Sequence, residues 1–295
     1  CDNFKWFQPD MDRIAAFIDG SDYAASICDH ATWAAGRLGM GVTLVHVIGR
    51  RSETDSAPAD LSGNLALGAR TALMTKLAEH DRERASLARE RGRAILDDAV
   101  ARMRGQADID VATKLRTGDL SEAIGEVERD SRFVILGKRG EGAEYAGEHL
   151  GSNLDRAIRT ARRPVLVANR AFRTPERFLL AYDGSPAAER AVERLEAGSV
   201  LKGQACHILT VGQPTPKLRD ALKSAAETIR GAGFDVTEHL EAGETEAVIA
   251  WMVGETGADM LVLGKSGHTR LRSLFIGSTT MELMRSCKVP VVVFP

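Results

Sequence analysis

The chain repeats itself. Arg13 to Ser21 reads RIAAFIDGS and Arg177 to Ser185 reads RFLLAYDGS, each a short apolar run closed by Asp-Gly-Ser. Four further blocks correspond in the same order: LVHVIG (44–49) with ILTVGQ (208–213), LRTGDLSEAI (115–124) with LEAGETEAVI (240–249), FVILGKRG (133–140) with MLVLGKSG (260–267), and RPVLVAN (163–169) with VPVVVFP (289–295). Five matches in one order mean two copies of one unit, so the fold must be built twice. The offset is 164 residues at Asp19/Asp183 and Val47/Val211 but 125 at Gly118/Gly243, which puts about forty extra residues in the first copy, between its second and third strands. The expected domains are therefore residues 11–170, with a helical insertion at about 50–104, and residues 176–295. Between them Asn169 to Glu176 loses the apolar pattern and carries Pro175, as a linker does.

Within each copy short Val/Ile/Leu runs alternate with helical stretches, the pattern of βα units around a parallel sheet buried on both faces. In the second copy the runs predict strands at about 177–183, 205–211, 235–241, 259–263 and 289–294, and helices at about 186–199, 216–231, 244–256 and 278–286. Helix starts are marked by Asp183 and Ser185, by Pro186 near the first position, and by Ser278. The fold class is α/β: two tandem doubly wound, Rossmann-like domains, each with a five-stranded parallel sheet. The terminal strands, 164–168 and 289–294, are apolar sheet edges. Such edges need covering, so the two copies are expected to pair edge to edge within the chain or with another chain.

Charge and cysteine usage narrow the setting. Thirty-nine Lys and Arg stand against forty-one Asp and Glu, which leaves no cationic surplus for a nucleic-acid backbone. No apolar run approaches the roughly 18–20 residues that span a bilayer, and CDNFKWFQPD has no signal-peptide core, so a cytoplasmic protein is expected, with Met11 as a natural start and residues 1–10 as a tag or loose arm. Cys1, Cys28, Cys206 and Cys287 are scattered, without a CxxC pair or histidines at metal spacing. Cys206 precedes His207, but neighbours on a strand point to opposite faces, so no metal site is expected there.

Function should gather beyond the carboxyl ends of the strands, where neighbouring crossovers leave to opposite faces. The loops after strand one (Asp183-Gly184-Ser185) and strand four (Gly264 onward) are the glycine-rich ones, and they share one crevice if those strands are neighbours. Glycine lets backbone N–H groups approach a ligand without a Cβ in the way. Gly277-Ser278-Thr279-Thr280 then opens a helix, whose first amides lack internal partners and whose dipole end is positive, an arrangement suited to phosphate. Two other phosphate loops are excluded. A Walker A loop ending at Gly264-Lys265-Ser266 would need glycine at 259, which is Asp, and neither copy has GxGxxG after its first strand.

Gly264-x2-Gly267-x9-Gly277-Ser278, with an Asp after the first strand, resembles the nucleotide-binding signature of the universal stress protein family, and the chain resembles a tandem member from about residue 11 to 295 apart from the insertion. The resemblance implies a site for ATP or another adenine nucleotide, with or without Mg2+. It places Asp183 near base and ribose and lets the Val211 backbone hold adenine. Gly264, Ser266 and Gly267 would wrap ribose and phosphates, and Gly277, Ser278, Thr279 and Thr280 would hold phosphate oxygens. In the first copy the corresponding contacts are Asp19, Val47, Gly137, Arg139, Gly140, Gly151 and Ser152. That copy departs from the pattern: ten residues separate Gly140 from Gly151, Asn153-Leu154 replaces the threonines, and Glu141, Glu144 and Glu148 crowd a site meant for an anion, where they would repel phosphate or, with a divalent metal, help hold it.

Each residue also has a plainer role. The glycines punctuate turns, Ser152 and Ser278 cap helices, Asp19 and Asp183 brace turns, Lys138 and Lys265 point to water, His268 and Arg270 either touch phosphate or point to water, and His46 and His207 pack in strands. The insertion is loop-like over 52–64 and helical over 65–103; its later part is expected to pack on the sheet, and its earlier part to be a solvated helix, a lid or a partner-docking arm. Three functions follow from these readings: a nucleotide-binding stress or regulatory protein, a slow ATP-hydrolysing enzyme, or a dimerisation or scaffold protein with a vestigial first site. The expected partners are an adenine nucleotide and a second sheet edge, from the other half or from a homodimer, with neither nucleic acid nor membrane.

Overall fold

The computed structural model describes residues 12–49, 67–140, 152–265 and 278–295, with the side chains of 67–72, 152–153 and 278–279 outside that description. The first half runs β1 (Arg13–Phe17), α1 (Ala24–Leu38), β2 (Gly41–Gly49), α2 (Leu67–Arg104), β3 (Val111–Gly118), α3 (Leu120–Val127), β4 (Ser131–Gly137), α4 (Ser152–Thr160) and β5 (Val165–Ala168). The second half repeats the series as β6 (Arg177–Ala181), α5 (Pro186–Glu196), β7 (Ala205–Val211), α6 (Pro216–Gly231), β8 (Asp235–Glu241), α7 (Thr245–Thr256), β9 (Met260–Gly264), α8 (Ser278–Ser286) and β10 (Val291–Phe294).

Each half is a doubly wound parallel sheet with the fold class read from the repeat, in the order third-second-first-fourth-fifth. The two sheets are continuous. β5 and β10 pair antiparallel, with Leu166 opposite Val292, so among the described residues ten strands form one sheet, β3-β2-β1-β4-β5-β10-β9-β6-β7-β8. Of the two ways to cover the apolar terminal edges, the structure therefore contains pairing within the chain. Because the seam is antiparallel, the strands of the two halves end at opposite rims of the sheet.

The strand side chains alternate between two apolar layers. Ile14, Ala16, Leu44, Phe178, Leu180 and Ile208 face α1, α2, α5 and α6. Ala15, Phe17, Val45, Leu179, Leu209 and Val293 face α3, α4, α7 and α8. In α6 the buried residues Leu222, Ala225, Ala226 and Ile229 recur at helical spacing and lay one stripe on the sheet.

The first half differs mainly in the crossover between its second and third strands. α2 has 38 residues where α6 has 16. Only its last part packs as α6 does: Leu96, Ala99 and Met103 are buried, and Gly92 sits so close to His46 and Leu115 that a Cβ there would stand 2.8 and 2.7 Å from their side chains. Arg102 forks onto Asp29 of α1 through two 2.8 Å hydrogen bonds. Earlier in the helix Leu73, Met74 and Leu77 are exposed, which fits the expectation that this earlier part is not packed on the sheet, and Leu87 is exposed too. No helix among the described residues is long and apolar enough to cross a membrane.

Candidate functional site

The strand order reverses between the first and fourth strands of each half, because β1 lies between β2 and β4, and β6 between β7 and β9. The crossovers on either side of that point leave to opposite faces, the arrangement that in doubly wound sheets opens a crevice at the strand ends. Asp19 and Asp183 stand at its entrance, each bent back on its own turn. Asp19 Oδ1 accepts from the Ser21 backbone N–H at 3.0 Å and from the Ser21 hydroxyl. Asp183 Oδ1 accepts from the Ser185 N–H at 2.9 Å, while Ser185 Oγ accepts from the Ala188 N–H at 3.2 Å and caps α5. Turn bracing thus uses one carboxylate oxygen of each Asp.

Across the first crevice Gly140 faces that carboxylate; a Cβ on it would lie 3.0 Å from Asp19 Oδ2. Gly264 is more constrained. A Cβ there would stand 2.4 Å from the carbonyl carbon and oxygen of Ala187, in the first turn of α5, so the end of β9 abuts helix backbone. Gly137 makes the equivalent approach to α1, where a Cβ would meet Tyr23 Cβ at 3.0 Å and Ile27 Cδ1 at 3.2 Å. These two glycines serve close packing of strand end on helix start. Val47 and Val211 occupy matching places near the ends of β2 and β7, partly buried against the α3, α4, α7 and α8 layer. Ser152 and Ser278 begin α4 and α8, and Thr280 is buried in the first turn of α8. Arg139 is half-buried beside Lys138. Gly151, Ser266, Gly267 and Gly277 lie outside the described residues, as do the side chains of Ser152, Ser278 and Thr279, and so do Glu141, Glu144, Glu148, His268 and Arg270.

The model of the universal stress protein family matches residues 11–169 and again residues 175–295. The chain belongs to the universal stress protein family. It is 32% identical over 286 residues to universal stress protein Slr1230 of Synechocystis, covering 96% of this chain and all of that one. It is 26% identical to a universal stress protein of Mycolicibacterium smegmatis, over 93% and 95% of the two chains. Among solved structures, a universal stress protein from Archaeoglobus fulgidus superposes with a TM-score of 0.68 at 20% identity, covering 96% and 95% of the two chains, which speaks to the fold.

In this tandem universal stress protein the two lysines that follow the strand-four glycines do not point to water. Lys138 Nζ donates to the carbonyl of Cys287, just past the end of α8 in the other half. Lys265 Nζ donates to the carbonyls of Arg159 and Ala161, at the end of α4 in the other half. Each glycine loop is thereby tied to the negative end of a helix across the seam. Burial pulls both ammonium pKa values below the ordinary lysine range. Sequence reasoning assigned these lysines to solvent. The signal that would have found them is their recurrence: Gly-Lys-x-Gly appears in both copies although the residues after it diverge.

The remaining reactive groups are placed for packing. Burial raises the thiols of Cys28 to about 11 and of Cys206 to about 12, which disfavours the nucleophilic thiolate. His46 Nδ1 lies 2.9 Å from the Ile18 carbonyl, and His207 Nδ1 lies 3.0 Å from His239 Nε2. Among the described residues no group of three or more His, Cys, Asp and Glu is placed to hold a metal ion.

Proposed function

We propose that this universal stress protein binds an adenine nucleotide, ATP in the first instance, in the crevice of its second half, and that occupancy changes what protein partners meet. The observation that supports this most is the strand-order reversal at β6 and β9. It brings the Asp183 turn and the Gly264 loop to one crevice, and that loop leads into a helix opening in Ser278-Thr279-Thr280. The proposed contacts are Asp183 for base and ribose and the Val211 backbone for adenine. Gly264, Ser266 and Gly267 are assigned to ribose and phosphates, and Gly277, Ser278, Thr279 and Thr280 to phosphate oxygens, where unpaired helix amides supply donors. Asp19, Val47, Gly137, Arg139, Gly140, Gly151 and Ser152 form the weaker counterpart in the first half.

Isothermal titration of the purified full chain with ATP, with and without Mg2+, tests the reading. A dissociation constant well below about 1 mM is expected, equivalent to more than about 4 kcal/mol of binding energy. Gly277→Val, which puts a branched side chain where phosphate is assigned, should abolish the second-half event. Absence of sub-millimolar ATP binding, or binding unchanged in Gly277→Val, overturns the assignment.

A further inference from the structure

At the rim where the first-half strands end, a cavity of about 410 Å³ opens on the seam between the halves. Its lining brings together five cations from three segments: Lys138 and Arg139 after β4, Arg170 after β5, and Arg285 and Lys288 at and just past the end of α8. No acidic residue lines it among the described residues. The whole chain carries slightly more acid than base, so this concentration is local.

Among the described residues, the carboxylates that pair with these cations lie outside the lining and neutralise little. Asp22 stands 3.8 Å from Arg170 and Glu282 stands 3.3 Å from Arg285, both in exposed pairs of the kind that contribute at most about 1 kcal/mol. Lys138 is committed to the Cys287 carbonyl, and burial, with Arg139 adding repulsion, already disfavours its charge. Neutral hydrogen bonds hold the cluster together in spite of this repulsion: the Asn169 side chain donates through Nδ2 to the Lys288 carbonyl at 2.8 Å, and β5 pairs with β10. A cavity walled by like charges and fixed by neutral hydrogen bonds lowers the free energy of a multivalent anion within it.

We infer that this seam cavity is a binding site for an oligophosphate, distinct from the second-half crevice and adjoining the first-half one, with which it shares Arg139. Three guanidinium groups present forked donors that match phosphate oxygens two at a time, and the two lysines add point charge. The volume equals that of about fourteen waters at roughly 30 Å³ each, room for a short chain of phosphates. Tyr23, the one aromatic ring in the lining among the described residues, is covered by Arg170 with its guanidinium carbon 5.8 Å from the ring centroid. An extended nucleic acid would need cations along a face; here they converge on a hollow. Because two of the five cations come from the second half, the ligand would join the halves across β5 and β10.

The test uses the full chain and sodium tripolyphosphate. Titration calorimetry at low salt should give one site per chain, with affinity falling at least tenfold between 50 and 200 mM salt and with orthophosphate at least tenfold weaker. Arg285→Glu combined with Lys288→Glu changes two exposed side chains that stand at the rim opposite the second-half crevice, so the variant should fold with an unchanged far-ultraviolet spectrum. It should lose tripolyphosphate affinity by at least tenfold and keep the ATP event that Gly277→Val abolishes. Competition distinguishes the source of the phosphate chain: ATP that displaces tripolyphosphate one for one means that a nucleotide tail can fill the cavity, and additive binding means that a free oligophosphate fills it. Tripolyphosphate binding that survives the double substitution, that is absent in the parent, or that disappears together with ATP binding in Gly277→Val alone, overturns the inference.

Discussion

The two halves of the molecule use the same chain path to different tolerances. At the end of strand four, a Cβ on the first-half glycine would lie 3.0 Å from Tyr23 Cβ, 3.2 Å from Ile27 Cδ1 and 3.3 Å from the Arg139 carbonyl oxygen, whereas on the second-half glycine it would lie 2.4 Å from the Ala187 carbonyl. Across the seam Lys138 reaches one carbonyl and Lys265 reaches two. A repeated motif therefore does not mean a repeated constraint: in the second copy, which keeps the fuller nucleotide signature, the strand end at Gly264 and Lys265 is the more tightly held.

The largest effect that would sharpen this contrast is expected at the glycines. Gly264→Ala drives a methyl group into helix backbone that cannot swing away, and overpacking of that kind should cost about 3 kcal/mol. Gly137→Ala meets a Cβ and the movable end of an isoleucine, and should cost about 1 kcal/mol. Urea unfolding of the two variants against the parent measures both. Equal losses would remove the claimed difference between the halves.

The cross-seam lysines come next. Lys265→Met keeps the aliphatic stem but strands two carbonyls at the end of α4, and a charged hydrogen bond of this kind contributes about 2 kcal/mol. Lys138→Met strands one, so about 1 kcal/mol is expected. Thermal unfolding of each variant and of the double variant gives the coupling between the two clamps. A Lys138→Met loss equal to or greater than that of Lys265→Met would reverse the ranking of the halves.

How much of this was legible beforehand follows from the range of each interaction. Strand and helix positions were readable because burial on both sheet faces leaves a local apolar pattern: α6 and α8 occupy the spans expected for them, and β7 and β8 likewise. Ser185 as a helix cap was readable for the same reason, since its partner is three residues away. The pairing of β5 with β10 was narrowed to two alternatives, because an apolar edge announces that it needs a partner without saying which. The destinations of Lys138 and Lys265 were misread, since each partner lies more than 100 residues away and a lysine beside glycine has the local signature of a solvated loop. In the insertion helix, Leu73 and Leu77 are exposed as expected of its solvated earlier part, whereas Leu87, in the part expected to pack on the sheet, is exposed too: helical spacing identifies a face but not whether anything covers it. At the site, the juxtaposition of the Asp19 turn with Gly140 followed from strand order, while most of the phosphate-assigned loop lies outside the described residues.

The smallest effect separates the halves by titration. His30 in α1 and Arg194 in α5 occupy matching positions, 164 residues apart like Asp19 and Asp183. His30 is fully buried, with its ring edge-on to Phe172 at 4.8 Å and Nδ1 2.7 Å from the Ser26 carbonyl, and burial lowers its pKa to about 4. Arg194 is also lowered by burial, but only to about 10, so it stays charged throughout the acid range. For His30 the unfolded chain, titrating near 6.5, binds more protons than the native protein between about pH 6.5 and 4. Stability from this residue is therefore complete above pH 6.5 and declines as the pH falls through that window, by about 1 kcal/mol at pH 5.5. His30→Gln should flatten this limb of a urea-unfolding series run from pH 7.5 to 5, even if it lowers stability uniformly, whereas Arg194→Gln should leave the slope intact. A slope that persists in His30→Gln would assign acid sensitivity to other groups and leave the two matching positions without this distinction.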